Sequence, residues 1–140
     1  MKKNFTVIAA GGLGTRLKNY KNNEYTKVLI PIGETSMISQ QIKQLKNWGY
    51  ENIVIVTNPE FDKLIKEDVK GNFPNENIEF VIQTEQLGIA HALKQAEPVI
   101  DKGSQISFIL GDNFFGVNPF ANNKSIYSNN SAALVLKKVN

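Results

Sequence analysis

Three glycines in four residues, Gly11, Gly12 and Gly14, follow the short apolar run from Phe5 to Ala9 and lead into Thr15 and Arg16. Glycine lets the backbone turn tightly and lets its N–H groups come close to an anion, which is how such loops cradle phosphate. The loop is not a Walker A motif, because no Gly-Lys-Ser/Thr follows, and Leu17 stands where the dinucleotide fingerprint has its third glycine. A glycine pair alone is better explained as a tight strand-to-helix turn without a ligand. Arg16 shifts the balance. Of 16 basic residues 15 are lysines, and the single arginine sits beside this loop, where its planar fork could grip phosphate in a way lysine cannot. Taken alone, the other polar positions have plain readings: Gln83 as a polar residue ending a strand, Asp112-Asn113 as a turn former, and Lys27 as an exposed lysine. His91, the only histidine, reads as a structural or surface residue, and Trp48, Phe114 and Phe115 read as core rather than ligand stackers.

The elements that must position these residues alternate between strand-like and helix-like periods. Strands are expected at 5–9, 52–57, 78–82, 106–110 and 132–139. Between them, Ile38, Ile42 and Leu45 share one helical face, as do Phe61, Leu64 and Ile65, and then Ile89, Leu93 and Ala96. Gly49, Gly71 and Pro98 are the expected stops of these three helices. The asparagine-rich stretch from Asn118 to Ser131 reads as loop. This order predicts an α/β fold, a doubly wound, mostly parallel sheet with helices on both faces. Such sheets bind ligands outside the carboxyl ends of their strands, where the glycine loop, Gln83 and Gly111-Asp112-Asn113 fall.

A chain of 140 residues that is 41% hydrophobic has material for one buried core, which excludes a disordered chain or a multidomain array. It has no cysteine, so disulfide scaffolds, thiolate metal sites and cysteine nucleophiles are ruled out. A net charge of +3 carried by dispersed lysines gives no reason to expect nucleic acid. The apolar run from Phe5 to Ala10 is too short for a signal-peptide core or a membrane span, so a cytoplasmic protein away from membranes is the expectation.

Four motifs in order carry a resemblance: Gly11-Gly12-Leu13-Gly14-Thr15-Arg16-Leu17; Lys27-Val28-Leu29-Ile30-Pro31-Ile32; Gln83 with Gly88-Ile89-Ala90-His91-Ala92-Leu93; and Leu110-Gly111-Asp112-Asn113. Together they resemble the sugar-1-phosphate nucleotidyltransferases. The Gly-Asp-Asn-Phe wording is nearest to glucose-1-phosphate thymidylyltransferases, and Glu85-Gln86-Leu87-Gly88 is also similar to N-acetylglucosamine-1-phosphate uridylyltransferases. The resemblance implies transfer of a nucleoside monophosphate from a nucleoside triphosphate, dTTP or UTP, to a sugar 1-phosphate, with release of pyrophosphate. By the same resemblance Ala10, Gly11, Gly12, Gly14 and Thr15 would line the nucleotide site, with Arg16 holding the departing phosphates. Lys27 would neutralise phosphate charge, Gln83 with Gly88 would read a pyrimidine edge, and Asp112 would hold Mg²⁺ against the triphosphate. Arg16, Lys27 and Asp112 are the expected catalytic set. A homo-oligomer is compatible with the family, although no interface is legible in the chain. The chain departs from the family pattern at 18–24, which is polar and lacks the usual proline and threonine.

The resemblance further implies that residues 1–140 are the nucleotide-binding part of the domain, with most of the sugar-binding part beyond Asn140. Weak or absent turnover by these residues alone is therefore expected. The competing expectations are a nucleotide or nucleotide-sugar binding module without catalysis, an inactive fragment of such an enzyme, or a generic flavodoxin-like domain with no role for Arg16 or Asp112.

Overall fold

The β-branched run from Ile53 to Val56 shows no polar alternation, so a strand built from it needs cover on both faces. In the computed structural model, which describes residues 3–13, 26–121 and 132–134, this run is one of two central strands in a four-stranded parallel sheet. The strands are β1 (Asn4–Ala9), β2 (Pro31–Ile32), β3 (Thr35–Ser36), β4 (Asn52–Thr57), β5 (Ile78–Ile82) and β6 (Gln105–Leu110). The helices are α1 (Met37–Asn47), α2 (Asp62–Asn72) and α3 (Ile89–Gln95). The sheet order is β5-β4-β1-β6, while β2 and β3 form a separate antiparallel hairpin turned at Gly33, whose φ is +68°.

Side chains divide by parity along the central strands. Ile8, Ile53, Ile55 and Ile109 pack with Ile38, Ile42 and Leu45 of α1 and with Ile65 and Val69 of α2. Phe5, Val7, Val54 and Val56 pack on the other side, against Ala92 and Ala96 of α3. The fold is therefore the expected doubly wound α/β sheet. Each fully buried isoleucine or valine contributes about 1.5–3 kcal/mol, so the central strands are firmly anchored. The chain runs from β1 through β4 to β5 on one side of the sheet, then crosses to β6 on the other side of β1. That reversal puts a switch point between β1 and β6, and in such sheets ligands lie in the crevice outside the carboxyl ends of the strands.

Four expectations need correction. Leu64 is 40% exposed, because the buried stripe of α2 runs Phe61, Ile65, Val69 at four-residue steps and leaves Leu64 to its side. Gly71 does not stop α2; the helix ends at Asn72, since Phe73 precedes Pro74 and is held out of helical geometry. On α3 the buried face is Ala92 and Ala96 with Leu93 beside them, and Ile89 is 58% exposed. Small residues let this helix come close to the valines beneath it. Phe114 is 47% exposed, unlike Trp48 and Phe115, which pack against the core. The expected strand at 132–139 falls largely outside the described residues, and 132–134 are exposed and not in a strand. Among the described residues no helix is long and apolar enough to cross a membrane.

Candidate functional site

The crevice is built where backbone approaches backbone. The Gly111 N–H donates to Ala9 O at 2.8 Å, which closes the end of β6 onto the end of β1. A Cβ at Gly111 would lie 2.9 Å from both Ala9 O and Val28 Cγ1, so no side chain fits there. Gly11 is similarly confined: a Cβ would stand 3.1 Å from Thr57 O and 3.3 Å from Gln83 Oε1. At Gly12 a Cβ would meet nothing within 4 Å among the described residues. Here the glycine leaves room rather than avoiding a clash.

Two functional groupings result. On the β6 side, Lys27 Nζ donates to Asp112 Oδ2 at 2.7 Å across 85 residues of sequence. Lys27 begins the short 3-10 turn Lys27–Leu29, whose Val28 and Leu29 are buried, so core packing fixes the turn and leaves the ammonium outside. Both partners are half-exposed. On the β5 side, Gln83 is buried at the strand end, with its N–H donating to Thr57 O at 2.8 Å. Its side-chain Nε2 donates to Gly88 O at 3.3 Å and lies 3.0 Å from His91 Nδ1. Gly88 precedes α3 with φ of +97°, a conformation that favours glycine.

The expected residues thus fall into place unevenly. Gly11, Gln83 and Gly88 are gathered at the β1/β5 ends, and Lys27 and Asp112 at the β6 end. Ala10 is buried between them, but its N–H donates to Val56 O at 2.8 Å, which commits it to the strand ends rather than to an anion. Gly14, Thr15 and Arg16 lie outside the described residues. His91 is neither a bare surface residue nor an isolated core residue, being half-buried between Gln83 and Gln95.

Four further side chains hold the site and carry no motif. Gln41 of α1 donates through Nε2 to Leu110 O at 2.9 Å and Asn113 O at 2.8 Å, bracketing Asp112. Gln44 donates to Phe115 O at 2.6 Å. Asn58 donates to Gly11 O at 3.1 Å while its Oδ1 accepts from the Phe61 N–H, and Gln86 donates to the same Gly11 carbonyl at 3.0 Å. A sequence signal existed for one of them: Gln41 is a polar residue on the stripe of Ile38, Ile42 and Leu45, where burial demands a partner.

Magnesium suits this site in one particular way. Among the described residues no three His, Cys, Asp or Glu side chains gather as a ready-made metal centre. Mg²⁺ commonly takes one or two carboxylates and completes its shell with water and substrate phosphate oxygens. A lone Asp112 beside an open crevice fits a metal that arrives with a triphosphate.

A doubly wound sheet with Gly11, a buried amide and a lysine–carboxylate pair at the carboxyl ends of its strands defines an α/β protein with polar groups where such sheets hold ligands. Residues 5–136 match the nucleotidyl transferase family model, and the chain belongs to that family. It is 35% identical over 114 residues to the bifunctional protein GlmU of Bacillus licheniformis, covering 80% of this chain and 23% of that one. To GlmU of Acinetobacter baumannii it is 34% identical over 106 residues, 76% of this chain and 21% of the relative. Among solved structures it is similar to one assigned as a glucose-1-phosphate thymidylyltransferase of Bacillus anthracis, with a TM-score of 0.71 and 29% identity over 81% of this chain and 46% of that one. HddC of Yersinia pseudotuberculosis, solved with GMP-PN, gives a TM-score of 0.65 and 31% identity over 77% of this chain and 47% of that one. The chain therefore spans about a fifth of these curated relatives and about half of these solved ones.

Proposed function

We propose that this chain supplies the nucleotide-binding part of a sugar-1-phosphate nucleotidyltransferase that uses dTTP or UTP. The observation that carries the reading is the joining of Lys27 to Asp112 at the β6 end of a crevice whose β5 end carries Gln83. Residues 1–140 then hold nucleotide, and the sugar 1-phosphate meets it largely through residues outside this set. A phosphate oxygen of the sugar 1-phosphate attacks the α-phosphorus, the bond from that phosphorus to the bridging oxygen breaks, and pyrophosphate leaves. The amides and carbonyl-lined turn at Gly11 and Gly12 admit the phosphates closely, and Arg16 pairs with the departing β- and γ-phosphates. Lys27 exchanges Asp112 for phosphate oxygens when the triphosphate binds, so charge that accumulates in the transition state meets its ammonium. Gln83 and the Gly88 backbone read the pyrimidine. Asp112 would hold Mg²⁺, which when bound shields the triphosphate and the leaving pyrophosphate. The setting in this reading is the cytoplasm.

A second reading is nucleotide or nucleotide-sugar binding without transfer. Pyrophosphate release from dTTP or UTP with glucose 1-phosphate or N-acetylglucosamine 1-phosphate separates the two. Turnover that is abolished in Asp112→Asn supports transfer by this chain. Mg²⁺-dependent nucleotide binding without turnover supports the second reading.

A further inference from the structure

The hydrogen bonds around His91 over-determine its protonation. Gln83 Nε2 lies 3.0 Å from Nδ1, and Gln95 Nε2 lies 3.1 Å from Nε2. A neutral imidazole has one acceptor nitrogen and one donor nitrogen, so both amides cannot donate to it. One of them must present its oxygen instead. Gly88 O, a group that only accepts, lies 3.3 Å from Gln83 Nε2 and gives the amide its sense, and the shorter 3.0 Å approach to Nδ1 holds it there, at a residue only 4% exposed. Gln95 is half-buried and its competing bond, to His91 O, is longer at 3.5 Å, so turning its amide loses little. His91 therefore carries its proton on Nε2, donates it to Gln95 Oε1, and keeps Nδ1 as an acceptor for Gln83.

This has a chemical consequence at the other end of the Gln83 amide. With Nε2 held by His91 and Gly88, Oε1 is turned toward Gly11, where the glycine loop begins. An oxygen presented to a base held against that loop accepts from the N3–H of uracil or thymine and opposes the N3 lone pair of cytosine. We propose that His91 is a positioning residue which, through Nδ1, locks the Gln83 amide in the orientation that selects uracil or thymine nucleotides over cytosine nucleotides. The inference rests on the reading of Gln83 as the pyrimidine reader and adds what sets its direction.

Two measurements test it. His91 is the only histidine, so a two-bond ¹H–¹⁵N correlation spectrum of the labelled chain reports its tautomer without ambiguity and without nucleotide. The Nε2–H form is expected, and the Nδ1–H form would overturn the inference whatever the chain binds. Calorimetric titrations with dTTP and CTP then compare His91→Leu, which removes the acceptor, with His91→Asn, whose Oδ1 can take the place of Nδ1. Discrimination between dTTP and CTP should fall by about tenfold or more in His91→Leu and stay within roughly threefold of wild type in His91→Asn, since a site built to hydrogen-bond a particular edge rejects the wrong one strongly. Equal weakening of both nucleotides in His91→Leu, or unchanged discrimination, overturns the inference alone. Absence of any pyrimidine nucleotide binding by the wild-type chain overturns it together with the functional reading.

Discussion

Lys27 and Asp112 separate what a residue does for the fold from what it does for a ligand. Their ion pair is half-exposed, and pairs of that kind contribute only about 0.2–1 kcal/mol. Lys27→Met should therefore change the urea midpoint of unfolding little, by less than about 1 kcal/mol in stability. Triphosphate affinity should fall by about tenfold or more in the same variant, because a charge-assisted contact to phosphate is lost. A Lys27→Met chain that unfolds far more easily but binds triphosphate normally would assign the pair to stability. Arg16 lies outside the described residues, and its assignment rests on its place beside the glycine loop. Arg16→Ala is expected to weaken dTTP by a similar factor, and indifference to this change would detach the loop from the phosphates.

At the scale of elements, the site depends on how α1 and the glycines hold the strand ends. Gln41→Leu leaves Asn113 O without its donor and Leu110 O with only the Asn113 N–H, at a cost of about 1–3 kcal/mol. It should also loosen the turn carrying Asp112, so the Mg²⁺ dependence of nucleotide binding should weaken along with stability in denaturant titrations. Gly111→Ala forces a Cβ against the Ala9 carbonyl and Val28, and overpacking of this kind costs roughly 1–3 kcal/mol. The turn bearing Lys27 would shift with Val28. Unchanged stability in Gly111→Ala would show that the strand ends are less tightly joined than described.

These elements also show what a single sequence reveals. The strands were legible because Ile53–Val56 and Phe5–Ala9 have no reading except burial on two faces, and the end residues Gln83 and Asp112 followed from the sheet rule. Helix faces were less legible. Leu64 and Ile89 are apolar and correctly spaced, yet neighbouring residues won the core because α2 is centred on Ile65 and α3 needed alanine for close approach. The supports of the site were hidden for a different reason. Gln44 and Gln86 act through single bonds to distant carbonyls, Asn58 adds one to its local bond from the Phe61 N–H, and nothing in local spacing marks the distant partners.

For the whole molecule, the four-stranded sheet places its reversal between β1 and β6, and Gln83 at the end of β5 and the Lys27–Asp112 pair at the end of β6 stand at opposite edges with β4 and β1 between them. In the proposed function, nucleotide capture draws on the ends of β1, β5 and β6, while transfer also needs a sugar 1-phosphate held in line with the α-phosphorus. In that proposed function a Mg²⁺-nucleoside triphosphate sits at the carboxyl ends of β1, β5 and β6. Calorimetric titration of the chain with dTTP and UTP, each with and without Mg²⁺, beside the Asp112→Asn variant, tests it most directly. Saturable binding that strengthens with Mg²⁺ in the wild type and loses that dependence in Asp112→Asn is the predicted result; no binding, or binding indifferent to both Mg²⁺ and Asp112, would contradict it.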